Sequence, residues 1–82
     1  MYEIVFTKKA EKDFDALDAQ MKRRIVQVLE RIRIDPKPFL RRLAEVDSYR
    51  LRVGDYRVII DLPEQKKEIV VLKIGHRKNV YD

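Results

Sequence analysis

Tyr49–Ile60 reads YRLRVGDYRVII, two runs of alternating apolar and charged residues on either side of Gly54-Asp55. Glycine tolerates the positive φ that a two-residue primed turn requires, so this spacing predicts a β-hairpin. Closed at that turn, the hairpin pairs Val53 with Tyr56, Arg52 with Arg57, Leu51 with Val58 and Arg50 with Ile59. Side chains alternate across a strand, which puts Arg50, Arg52 and Arg57 on one face. Tyr49, Leu51, Val53, Tyr56, Val58 and Ile60 fall on the other, apolar enough to pack against helices.

Downstream, PEQKK is a second turn leading into EIVVLKIG, another strand. If Val70, Leu72 and Ile74 continue the core face, then Ile69, Val71 and Lys73 fall on the arginine side. Lys73 thereby joins the cluster, Arg77 lies at its rim, and Tyr81 follows a few residues beyond.

Upstream, MYEIVFT alternates Tyr2, Ile4 and Phe6 with polar or smaller residues, the period of a half-buried strand. Thr7 is placed to cap a short helix whose stripe is Ala10, Phe14 and Leu17. Asp18 is the N-cap of a second helix carrying Met21, Ile25, Val28, Leu29 and Ile32, which DPKP terminates because proline lacks the amide and disfavours helical geometry before it. The expected architecture is α+β: an N-terminal strand, a helical hairpin, then an antiparallel three- to four-stranded sheet packed against the helices, all in one domain over residues 1–82. Its expected core is Phe14, Leu17, Ile25, Val28, Leu29, Leu51, Val58, Ile60, Val70 and Leu72.

Composition narrows the function. A chain of 82 residues holds one small core. The absence of cysteine removes disulfide scaffolds and thiolate metal sites, and a single histidine is too few for an ordinary zinc centre, so no cofactor or metal is expected. No apolar run approaches the roughly 20 residues of a bilayer span and the N-terminus lacks a signal-peptide core, which makes the cytoplasm the expected location. With 19 Lys+Arg against 14 Asp+Glu the net charge is +5, a balance suited to a polyanionic partner. The stretch from Lys22 to Arg42 concentrates basic residues against only Glu30 and Asp35, and it reads equally as a solvated helix face or as a nucleic-acid footprint.

Like charges directly opposite one another across strands cost about 0.2–1 kcal/mol per pair, so a face that gathers arginines favours a bound anion. Phosphate is the natural guest, because guanidinium forks match its oxygens in paired hydrogen bonds. For any single arginine the simpler account is a charged head reaching into solvent from an exposed sheet face.

The order strand, helix, helix, meander, with YRLRVGDYRVII in the middle and VVLKIGHRKNVYD at the end, resembles the RelE/ParE superfamily of bacterial and archaeal toxin–antitoxin systems over essentially the whole chain. The ending is more similar to the RelE branch, whose members cut messenger RNA in the ribosomal A site by attack of the 2′-hydroxyl on the adjacent phosphate. The ParE branch shares the fold and poisons DNA gyrase. The resemblance implies that Arg50 and Arg52 contact the scissile phosphate, that Arg57 stabilises its charge, that Arg77 protonates the leaving oxygen and that Tyr81 stacks on a base. Candidate RNA contacts beside them are Lys73, His76 and Lys78, together with Arg23, Arg24 and Arg31 on the second helix. Family members often carry lysine in the basic pair, and here both positions are arginine, which stays protonated at any working pH. The general base is therefore open; histidine is the only side-chain type whose unperturbed pKa lies near neutrality, and alternation points His76, the single one here, away from the arginine face. A cognate antitoxin, the ribosome and messenger RNA are the implied partners, and a gyrase inhibitor or a non-catalytic RNA-binding module are the alternatives.

Overall fold

The N-terminal strand β1 (Glu3–Phe6) hands over to helix α1 (Lys8–Asp15) at Thr7, whose hydroxyl accepts a hydrogen bond from the Ala10 amide at 3.1 Å and so supplies the expected N-cap. Asp18 does the same for α2 (Ala19–Ile32), accepting from the Met21 amide at 2.8 Å. These contacts belong to a computed structural model that describes residues 1–43, 48–63 and 65–78. After α2 the proline-rich DPKP segment forms a short 3-10 turn at Lys37–Phe39, followed by β2 (Arg41–Arg42), β3 (Tyr49–Val53), β4 (Tyr56–Asp61) and β5 (Glu68–His76). No described helix is long and apolar enough to cross a membrane.

The sheet order is β1-β5-β4-β3-β2. The α+β expectation stands, with a sheet of five strands in place of three to four and mixed in place of purely antiparallel. Two pairings account for the difference. β1 lies parallel to β5, from Glu3 opposite Glu68 to Phe6 opposite Val71, and β2 adds an edge strand of two residues beside β3. Gly54 turns the β3–β4 hairpin at φ +60°, and the register is the one the alternation predicts, from Val53 opposite Tyr56 through Arg50 opposite Ile59.

Both helices cover one face of this sheet. Ala10, Ile25, Leu29 and Ile32 pack against Leu51, Val53, Val58, Ile60, Ile69, Val71 and Ile74, with Phe14, Leu17 and Val28 partly buried around them. Among the described residues no polar or charged side chain is buried. The expectation for β5 requires correction: Ile69 and Val71 face the helices, Val70 is only partly buried, and Leu72 packs with Leu43 and Ile59 in a small second cluster. The cause is a bulge. Ile59 pairs with Lys73 while Ile60 pairs with Val71, so β5 has one extra residue at Leu72, and the alternation changes phase there. Lys73 and Ile74 lie beyond the bulge and keep their expected faces, so Lys73 stands on the arginine side.

α1 is tied to β5 where β1 runs out. Beyond Phe6 the open edge of β5 is met by Thr7, whose hydroxyl donates to the Leu72 carbonyl at 3.0 Å, and by Asp13, whose carboxylate accepts from the Ile74 amide at 2.9 Å. These side chains replace the missing strand partner, which keeps the end of β5 ordered as it approaches His76 and Arg77.

Candidate nucleic-acid interface

The registers lay the basic residues out in two rows on the face opposite the helices. One row crosses β3, β4 and β5 as Arg52, Arg57 and Gly75; the next crosses β2 to β5 as Arg41, Arg50, Ile59 and Lys73. Neighbouring strands lie about 4.8 Å apart, so four guanidinium groups share a patch the size of a nucleotide or two. Gly75 has no side chain to stand beside Arg57, which lowers the floor there. Ile59 and Leu43, both buried, and the partly buried Leu72 give the second row an apolar footing.

Electrostatics mark Arg50 as the centre. Burial of its guanidinium and the neighbouring charges of Arg57, Arg41 and Arg52 lower its pKa below the ordinary arginine value. The like charges repel one another, and an anion placed among them would offset that repulsion. Arg52 is exposed and donates from Nε to the Gly54 carbonyl at 3.3 Å, which draws it toward the turn. Arg77 is exposed just past β5, and its amide donates to the Asp55 carbonyl at 2.8 Å. Its backbone is thus held beside the turn of the β3–β4 hairpin.

Arg41 is the member that sequence reading missed. A two-residue strand has no periodicity to detect; the only signal was the Arg41-Arg42 doublet following a proline-broken segment. Of the other candidates, Lys73 joins the second row and Lys78 is exposed, its amide donating to His76 Nδ1 at 3.3 Å. His76 pairs with Tyr56, sharing the side of the sheet on which Tyr56 packs toward the core, and the two rings meet edge to face with centroids 5.5 Å apart. It stands away from the arginines, as expected. Arg23, Arg24 and Arg31 are exposed on α2, in the layer behind the sheet, so the fold does not bring them onto the patch. Arg24 reaches the end of the hairpin: a Cβ at Gly54 would stand 2.9 Å from its Nη1. Tyr81 lies outside the described residues. Among those residues no cluster of three His, Asp or Glu side chains forms a metal site.

A small α+β domain with a helical hairpin packed on one side of the sheet is the fold of small toxins of type II toxin–antitoxin systems. The chain matches the family described as "ParE toxin of type II toxin-antitoxin system, parDE" over residues 4–81, and it belongs to that family within the RelE/ParE toxin superfamily. Solved structures agree in fold. The chain superposes on the toxin–antitoxin complex RelBE2 of Mycobacterium tuberculosis with a TM-score of 0.85 at 22% identity, covering 93% of this chain and 98% of that one. For the archaeal RelE–RelB complex of Pyrococcus horikoshii the TM-score is 0.81 at 28% identity, covering 96% and 98%. For the RelB–RelE complex of Methanococcus jannaschii it is 0.75 at 25%, covering 95% of each. None of the curated protein sequences matches the chain.

Proposed function

We propose that this toxin is a ribosome-dependent endoribonuclease that cleaves messenger RNA in the A site and so stops translation. The observation that carries this reading is the convergence of Arg41, Arg50, Arg52 and Arg57 on one sheet face. Cleavage drives the RNA 2′-hydroxyl in line at the adjacent phosphorus, its proton passing to solvent water as the O2′–P bond forms and the P–O5′ bond breaks, which leaves a 2′,3′-cyclic phosphate and a 5′-hydroxyl. Cations fixed on strands favour that step because the phosphorane carries more negative charge than the ground state. Arg50 and Arg52 hold the scissile phosphate, Arg57 meets the charge that develops on it, and Arg77 at the rim delivers a proton to the leaving oxygen. Tyr81 stacks on a base, a contact of about 1–3 kcal/mol in comparable cases. With arginine at both positions of the basic pair and His76 turned away, electrostatics and positioning by the ribosome supply most of the rate.

The solved complexes RelBE2, archaeal RelE–RelB and RelB–RelE each hold an antitoxin beside a toxin of this fold, which supports a cognate antitoxin for this chain. It acts in the cytoplasm, where its target is. A second reading, inhibition of DNA gyrase, is favoured by the family description, which names ParE. Primer extension on a translated message, with and without ribosomes, beside a gyrase cleavage assay, separates the two. Breaks in the message only when ribosomes are present support the nuclease; gyrase-linked DNA breaks with an intact message overturn it. Within the nuclease reading, Tyr81→Ala slows cleavage strongly while Tyr81→Phe keeps much of it. Equal loss in both variants would instead give the hydroxyl a part in proton transfer.

A further inference from the structure

At the end of the sheet remote from Gly54 lies an open cleft of about 540 Å³, lined by Tyr2, Lys37, Arg42, Tyr49, Leu62 and Lys66 among others. Its described lining brings the side chains of Lys37, Arg42 and Lys66 together with the rings of Tyr2 and Tyr49. The walls are fixed: the Tyr2 amide donates to the Arg33 carbonyl at 2.8 Å, Arg33 Nε donates back to the Tyr2 carbonyl at 2.8 Å, and Arg42 is paired with Tyr49 across β2 and β3. Lys37 sits on the 3-10 turn and Lys66 on the β4–β5 connection, so the charges come from separate elements that the fold draws together.

We infer that this cleft is a second site for single-stranded RNA, taking a phosphate on Lys37 and Lys66 and a base against the tyrosines. Cationic grooves with aromatic platforms bind single strands without sequence preference, because every base has a face to stack. The geometry of β2 connects the cleft to the arginine patch. β2 is the edge strand, and consecutive residues of a strand point to opposite faces. Arg41 therefore stands with Arg50 on the arginine face, while Arg42 stands with Tyr49 in the cleft. Their Cα atoms are only about 3.8 Å apart, so one strand of RNA can round the edge from one site to the other without leaving positive charge. That continuous path rests on the RNA reading of the arginine face; occupancy of the cleft itself does not.

The test is an amide chemical-shift titration of the full chain, without ribosomes, using adenosine 5′-monophosphate in one arm and an oligoadenylate of about ten nucleotides in the other. The expected result is movement of the Tyr2, Tyr49 and Lys66 amides with the oligonucleotide. Movement with the mononucleotide as well makes a single nucleotide the unit recognised; movement with the oligonucleotide alone makes it the strand, and both outcomes support the site. Reversing two surface charges, Lys37→Glu with Lys66→Glu, is expected to weaken oligonucleotide binding at least about tenfold and to flatten its log–log salt dependence by about 1.4. Shifts confined to the arginine face, with no effect of the double reversal, would overturn the inference and leave the nuclease reading standing. Shifts confined to the cleft would support the inference and remove RNA from the arginine face.

Discussion

Gly54 holds a φ of +60°, a conformation that L side chains rarely adopt, and the hairpin carrying Arg52 and Arg57 closes through it. Gly54→Ala is expected to cost about 1 kcal/mol, mostly backbone strain, since the Arg24 guanidinium that the new Cβ meets is the far end of a flexible side chain. For a domain of this size that lowers the melting temperature by roughly 4–8 °C, which thermal denaturation will read. His76 gives a contrasting expectation. Its ring lies against Tyr56 on the side away from the patch, so folded His76→Ala should cleave at near the wild-type rate on saturating ribosomes. The hairpin arginines were legible in the sequence because each sits in a run long enough to show a period of two. Arg41 was not, because the strand holding it is two residues long and its partner Arg50 is reached only through the chain reversal between β2 and β3.

β5 shows where a sequence pattern stops being a reliable guide to a whole strand. Glu68–His76 holds apolar residues at consecutive positions, so period two alone cannot choose a face, and the bulge at Leu72 then changes phase midway. The parallel pairing of β1 with β5 was equally illegible, because it joins segments some 65 residues apart with no local signal. Two substitutions check the corrected register. Val71→Asp should prevent folding, because it buries an unpaired charge in a small core, whereas Val70→Lys, opposite Asp61, should shift stability by no more than about 1 kcal/mol. Urea denaturation distinguishes them. Thr7 links β1, α1 and β5 at once through its cap and its bond to the Leu72 carbonyl. Thr7→Val keeps the shape and removes both bonds, for an expected loss of about 1–2 kcal/mol in the same experiment.

The molecule presents positive charge on two layers. Arg23, Arg24 and Arg31 are exposed on α2, behind the sheet, and Arg41, Arg50, Arg52 and Arg57 gather on its front. Charge on the helix layer can help dock a large polyanion from behind the sheet, with only Arg24 reaching as far as the hairpin turn. Reversing Arg23, Arg24 and Arg31 together is expected to weaken ribosome association and flatten its salt dependence, while single-turnover cleavage on the bound complex stays near wild type. The most direct test is the single-turnover cleavage rate of a translated message on saturating ribosomes for wild type and for Arg52→Ala, Arg57→Ala and Arg77→Ala, each first shown to fold. Loss of one fixed electrostatic donor to the developing charge is expected to slow cleavage about 10²-fold or more in each variant, with far smaller changes in binding. Wild-type rates in all three would contradict the assignment of the arginine face to phosphate chemistry.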